Sequence, residues 1–143
     1  MSKSNTFEND LLSLIFNGTP ISNLADNAAS SPLTNLFVSL HTADPGEAGN
    51  QSTSEISYTG YARVAVARTS GGWTISSNSV SPVAAIEFAE MTGGSGGTAT
   101  FASIGTASTG SGKILYKGAL TPTVAVATGV IPRIKNTSTI TED

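Results

Sequence analysis

The chain contains no cysteine. It therefore has no disulfide framework, no thiolate nucleophile and no thiolate metal ligand. Histidine occurs once, at His41, and one imidazole without a thiol leaves most nucleophilic and zinc mechanisms short of groups. Charge is equally scarce. Only 12% of the residues are charged, about half the usual globular share. The net charge of -3 has the wrong sign for phosphate neutralisation, so no nucleic-acid partner is expected. No apolar run approaches the ~20 residues of a membrane span, and Met1-Ser2-Lys3-Ser4-Asn5 lacks the apolar stretch of a secretory signal. These absences predict a soluble protein made in the cytoplasm, with no cofactor, no membrane partner and no enzymatic activity.

What is present is hydroxyl. Serine and threonine make up more than a quarter of the 143 residues. A surface covered by hydroxyls and amides suits β-strands, which favour threonine and valine. It also suits faces covered by neighbouring molecules, where desolvating charges would be costly. The length is that of one domain with one core. The charges are unevenly placed: Lys113, Lys117, Arg133 and Lys135 occupy a stretch without an acid, while most acids lie in the first half. Such a stretch reads as a solvated face or as a docking patch for an acidic partner.

The spacing of Phe7, Leu11, Leu14 and Ile15 predicts an amphipathic helix over 5–16, capped by Asn5 with Glu8 three residues on. Asn17-Gly18 and Pro20 end it, and a short second helix over 21–29 is the weaker expectation. Residues 1–30 would form a helical arm and 31–143 a β-sandwich or jelly-roll domain. The first strand is 36–42, apolar enough for burial on both faces. A loop of unusual length follows over 43–59, then a strand over 61–69. Trp73, the only tryptophan, opens a short strand as a core anchor. Further strands are expected over 80–88, 98–105, 113–120, 123–127, 130–134 and 136–141, with Pro82 at an edge or strand start and Pro122 as a break. Eight or nine short strands with frequent turns give a mainly β fold.

Several patterns imitate chemistry. Gly93 to Gly97 spells G-x-S-x-G, but it lies in a glycine-rich loop tip and the single histidine precedes it. Gly105 to Lys113 resembles a phosphate loop, but Ala107 and Ile114 stand where a glycine and a hydroxyl are needed. Asp44, Glu47 and Glu55 could face a hard cation, without EF-hand spacing. His41, ending an apolar strand, reads as a hydrogen-bonded structural residue. Tyr58, Tyr61, Arg63 and Arg68 gather at the exit of the long loop. Tyrosine and arginine are common interface anchors, and core packing with solvated arginines is the plainer reading.

The segment LFVSLHTADPGEAGNQSTSEISYTGYARVAVARTSGGW, the later GTATFASIGTASTGSGKILYKGAL and the final ITED resemble a family of small virion structural proteins of tailed bacteriophages. Relatives carry loose labels such as tail fibre. The resemblance implies a virion component. A compact β-domain without a shaft or repeats then points to a capsid decoration (cement) protein, with a tail or tail-fibre component as the alternative. On that reading the partner is the major capsid protein, the chain forms a homo-oligomer (trimer or dimer), and it sits on the phage particle surface. Asp44, Glu47, Tyr58, Tyr61, Arg63, Arg68, Lys113, Lys117, Arg133 and Lys135 are the partner-binding candidates, and neither a catalytic nor a metal site is assigned.

Overall fold

The computed structural model describes residues 3–21, 24–26 and 32–142. The fold is mainly β with an N-terminal helix, and the strand pairings defined by register are antiparallel. Residue contacts divide the chain into two compact units. The expected arm boundary at residue 30 and most of the expected second helix lie outside the described residues. Ile21 and Ala25 form an isolated antiparallel bridge.

The first unit comprises residues up to 35, 67–86 and 135 onward. Helix α1 spans Asn5–Asn17. Its cap is Ser4, one residue before the expected Asn5, and the Ser4 hydroxyl accepts from the Phe7 amide. Glu8 therefore misses the capping-box position but still lies in the first turn, at the positive end of the helix dipole. The buried stripe is Glu8, Leu12 and Phe16, while Phe7 is exposed. The expected Phe7–Leu11–Leu14–Ile15 face is thus rotated, because the helix docks along its 8–12–16 line. Gly18 takes the left-handed conformation that ends the helix. Arg68 completes that end: its guanidinium donates to the carbonyls of Leu14 and Ile15, the latter at 2.6 Å. The last turn has no basic residue of its own, so Arg68 supplies the cation that the helix C-terminus favours.

Strands β3 (Trp73–Ser76), β4 (Ser79–Pro82) and β9 (Ile140–Thr141) form a three-stranded sheet in the order β3-β4-β9. Pro82 closes β4 opposite Trp73, a strand end where no further ladder donor is needed. Trp73 is buried and meets Phe16 edge-on at 4.8 Å, which fits the anchor role.

The second unit comprises residues 36–66 and 87–134. Its four-stranded sheet has the order β2-β1-β6-β7, built from β1 (Asn35–His41), β2 (Val64–Ala67), β6 (Gly97–Gly105) and β7 (Ile114–Val126). Short β5 (Ile86–Glu87) pairs with β8 (Arg133–Ile134). β1 is buried on both faces from Val38 to His41, as its apolar run predicts. Leu36, Val38 and Leu40 fill one face, joined in the core by Ile56, Phe88, Met91 and Val126. β7 passes through Pro122, where a break was expected. It is the outermost strand of the sheet, and the register slips between the Ala99–Val124 and Phe101–Ala119 pairs. An irregular edge strand tolerates a residue without an N–H.

Candidate functional site

Alternation along β1 puts Ser39 and His41 on the face opposite Leu40. The antiparallel register sets Ser103 of β6 directly across from Ser39, the geometry in which two hydroxyls meet. The two oxygens lie 2.8 Å apart, and Ser103 Oγ is 2.8 Å from His41 Nε2. His41 Nδ1 is 2.8 Å from the Thr53 carbonyl. A carbonyl only accepts, so Nδ1 carries the proton and Nε2 receives the Ser103 hydroxyl. Ser39 then donates to Ser103. The Gln51 side-chain amide donates to the Phe37 carbonyl at 3.0 Å and reaches Ser39 Oγ at 3.5 Å. Ser39, His41, Gln51 and Ser103 are all buried. Burial holds the His41 pKa below the ordinary imidazole value against the opposing hydrogen bond that Nδ1–H donates to the Thr53 carbonyl. The imidazole is therefore a neutral link between β1 and the long loop. Ser103 and His41 have the spacing of a nucleophile and its base, but neither is open to solvent.

The loop between β1 and β2 is fastened along its length. Thr42 N–H donates to Ser54 O and Ile56 N–H to Leu40 O, so residues 54–56 run as an extra rung beside β1. Asp44 accepts from the Gly46 amide and Asn50 from the Ser52 amide, each closing a local turn. Gln51 plugs the space between this loop and the 106–112 loop: its backbone N–H donates to Gly112 O, and its side-chain oxygen accepts from the Ala107 amide. A Cβ at Gly105 or Gly112 would lie 2.2 or 2.3 Å from the Gln51 side chain. These two glycines are what let the amide enter.

Arg63 closes the clamp. Its Nε and Nη2 donate to the two oxygens of Glu55, each at 2.7 Å, the bidentate arrangement of a strong pair. Nη1 donates to Ala107 O at 2.9 Å, and Nη2 to Gly110 O at 2.7 Å. The guanidinium is almost wholly buried, with 3% of its side chain exposed against 17% for Glu55. Hydrogen bonding to Glu55 holds the guanidinium firmly charged despite the opposing burial. Tyr61 donates to Glu55 at 2.9 Å, accepts from the Leu40 amide and stacks on Phe88. Burial pushes its phenol pKa up. Tyr58 meets Tyr61 edge-on and donates to Ala89 O.

The structure thus joins four of the predicted site residues to groups inside their own unit: Tyr58, Tyr61 and Arg63 at the loop exit, and Arg68 at the end of α1. Asp44 and Glu47 meet the basic stretch through Lys117, at 2.8 and 3.0 Å. The Lys117 hydrogen bond holds the Asp44 carboxyl below its usual range, and Asp44 and Glu47 together raise the Lys117 ammonium. Arg133 pairs with Glu87 on the surface. Lys113 and Lys135 are exposed. The suggested hard-cation carboxylates are divided between Lys117 and Arg63, and among the described residues no group of three or more acids or histidines is placed to hold a metal ion. The loop resembling a phosphate loop points its carbonyls at Arg63 and one amide at Gln51, and Lys113 leads into a strand. Ser95 of the G-x-S-x-G stretch is exposed on a loop that enters β6.

Gln51, Ser39, Ser103 and Glu55 were not among the predicted contact residues. In a chain rich in serine, nothing local marks Ser39 and Ser103 as buried. The only available signal was the parity of Ser39 with His41 on a strand buried on both faces.

The result is a β fold with a long loop clamped by buried polar side chains of its own unit. The chain belongs to the phage family described as Podophage GP4 fiber I protein gp80, which it matches over residues 2–141. No curated protein matches the chain. Membership identifies a structural protein of the phage particle and favours a fibre over the capsid decoration expected from the sequence. A fibre can be assembled from several short chains, so a chain without internal repeats is compatible with one.

Proposed function

We propose that the protein is a non-enzymatic structural component of the tail-fibre apparatus of a tailed bacteriophage. The family match across residues 2–141 carries this reading. The clamped loop supports it: a contact surface whose loops are already ordered loses little conformational entropy on assembly. Its partners on this reading are tail proteins and further copies of itself, in place of the major capsid protein. Repetition of modest contacts in a symmetric assembly supplies avidity. The exposed Lys113, together with the uncharged and largely exposed stretch of β7 from Gly118 to Ala125, is the surface of the second unit that we assign to those contacts.

Particles made without this protein test the reading. Their heads should fill with DNA and withstand heating like those of the parent, while attachment to host cells falls. Heads that burst or lose DNA, with attachment intact, would return the protein to the capsid.

A further inference from the structure

His41, Ser103, Ser39 and Gln51 form one buried row of donors and acceptors, and the row ends on a group that cannot change its role. Gln51 Nε2 donates to the Phe37 carbonyl at 3.0 Å, and Gln51 Oε1 accepts from the Ala107 amide at 3.0 Å. Turning the side-chain amide over would set oxygen against the Phe37 carbonyl and nitrogen against the Ala107 N–H. Nε2 therefore always faces Ser39 as a donor. With His41 neutral the row is satisfied, since Ser103 donates to Nε2 and Ser39 to Ser103.

A second proton on the imidazole has no place in this row. Nδ1 already donates to Thr53 O, so the proton enters at Nε2. The 2.8 Å contact with Ser103 takes it in preference to the 3.3 Å contact with Ser39. Ser103 must then donate to Ser39, and the Ser39 proton meets Gln51 Nε2, 3.5 Å away. Two buried donors then face each other, and one of them is left unmade. Burial opposes the new proton most strongly, joined by Arg63, while the Thr53 carbonyl, Glu55 and Asp44 favour it. Ser39 and Ser103 are held by the pairing of β1 with β6, and His41 by Thr53. Gln51 is the member free to leave, because it sits in a loop beside the exposed Ser52.

We propose that this row is an acid-operated latch: a proton on His41 drives the Gln51 side chain out of its slot between Gly105 and Gly112 and loosens the 106–112 loop from the long loop at that end. The Arg63 end stays closed, since its bonds to Ala107 O and Gly110 O do not involve the row. The opening is local and precedes unfolding. It rests on the row alone and does not depend on where the protein sits in the particle.

The Ala107 amide, whose partner is Gln51 Oε1, reports on the slot. Amide exchange of the full chain is followed by NMR from about pH 7.5 to about pH 4.5 and corrected for intrinsic rates, while the ring signals of the single histidine report its protonation. Protection at Ala107 should fall about fivefold as His41 titrates, the worth of one neutral hydrogen bond. The amides of Thr42 and Ile56, which donate to Ser54 O and Leu40 O, should keep theirs. Ser39→Ala leaves His41 to titrate but cuts the row before Gln51, so Ala107 should stay protected in acid. Unchanged protection at Ala107 once His41 is protonated overturns the proposal. Equal loss at Ala107, Thr42 and Ile56 does so too, because that is unfolding, as does a loss in Ser39→Ala as large as in wild type. If Ser39→Ala fails to fold, His41→Asn takes its place: its Ala107 protection should not change with pH, and a change like that of wild type overturns the latch.

Discussion

The clamp at Arg63 allows a quantitative prediction. Glu55→Gln keeps the shape and leaves one oxygen to accept from Arg63, but removes the charge opposite a guanidinium that is 3% exposed. Breaking a buried ion pair on one side costs about 3–5 kcal/mol. Here the carboxylate is 17% exposed and the guanidinium keeps its bonds to Ala107 and Gly110. The expected loss is therefore nearer 2–3 kcal/mol, a fall of roughly 6–10 °C in melting temperature for a domain of this length. Urea unfolding of wild type, Glu55→Gln, Arg63→Met and the double variant isolates the pair. Arg63→Met also releases the 106–112 loop, so protease cleavage should appear there first. The coupling energy should reach about 2 kcal/mol, with the double variant more stable than the two single losses predict. Additivity within about 0.5 kcal/mol would mean that Glu55 and Arg63 act independently, and the clamp as described would be wrong.

Three further outcomes follow from the same contacts. Gly112→Ala places a Cβ 2.3 Å from Gln51 Oε1 and 2.6 Å from Ala107 Cβ and should cost about 1–3 kcal/mol, only part of it recovered in Gln51→Ala/Gly112→Ala because the Ala107 contact remains, whereas Gly118→Ala, with open space around it, should be neutral in the same urea series. His41 has a folded pKa below its unfolded value of about 6.5, so the unfolded state takes up the proton first. Stability should be flat above pH 6.5 and fall as pH drops below it towards the folded value, and in His41→Asn, compared by urea unfolding at each pH, that part of the slope should vanish. Arg68→Met strips the cation and two carbonyl partners from the end of α1 and should lower stability by about 1–2 kcal/mol, read by denaturation followed at a helix-sensitive wavelength.

The elements were largely legible because they rest on local patterning. The apolar run of β1, the glycine stop of α1 and the burial of Trp73 follow from period, turn chemistry and size. The helix face was misread because Phe7 and Ile15 are as apolar as the buried Leu12 and Phe16, and only docking chooses among faces. The 43–59 loop was visible as a loop, and Tyr58, Tyr61 and Arg63 were visible as a cluster at its exit. Their partners were not. Arg63 meets carbonyls at Ala107 and Gly110, more than forty residues away, and backbone groups carry no mark in the sequence. Glu55 was read as a solvated acid or cation ligand because its distance to Arg63 depends on the turn that returns residues 54–56 to β1. Gly105 and Gly112 belong to the stretch that imitates a phosphate loop, yet their lack of a side chain makes room for Gln51.

The protonation state of His41 is tied to the direction of the whole buried chain. A proton on Nε2 would have to donate to Ser103, turning Ser103 towards Ser39 and Ser39 towards the Gln51 amide, which is itself a donor. The neutral form alone satisfies every member, which accords with the lowered pKa and with a role as a fastener between strand and loop.

The central claim is that this is a fibre component. Imaging intact particles carrying a dense label on the protein's C-terminus tests it most directly. The account predicts a small, symmetric set of labels at the tail and none over the head. Labels spread over the capsid surface in stoichiometric number would contradict it.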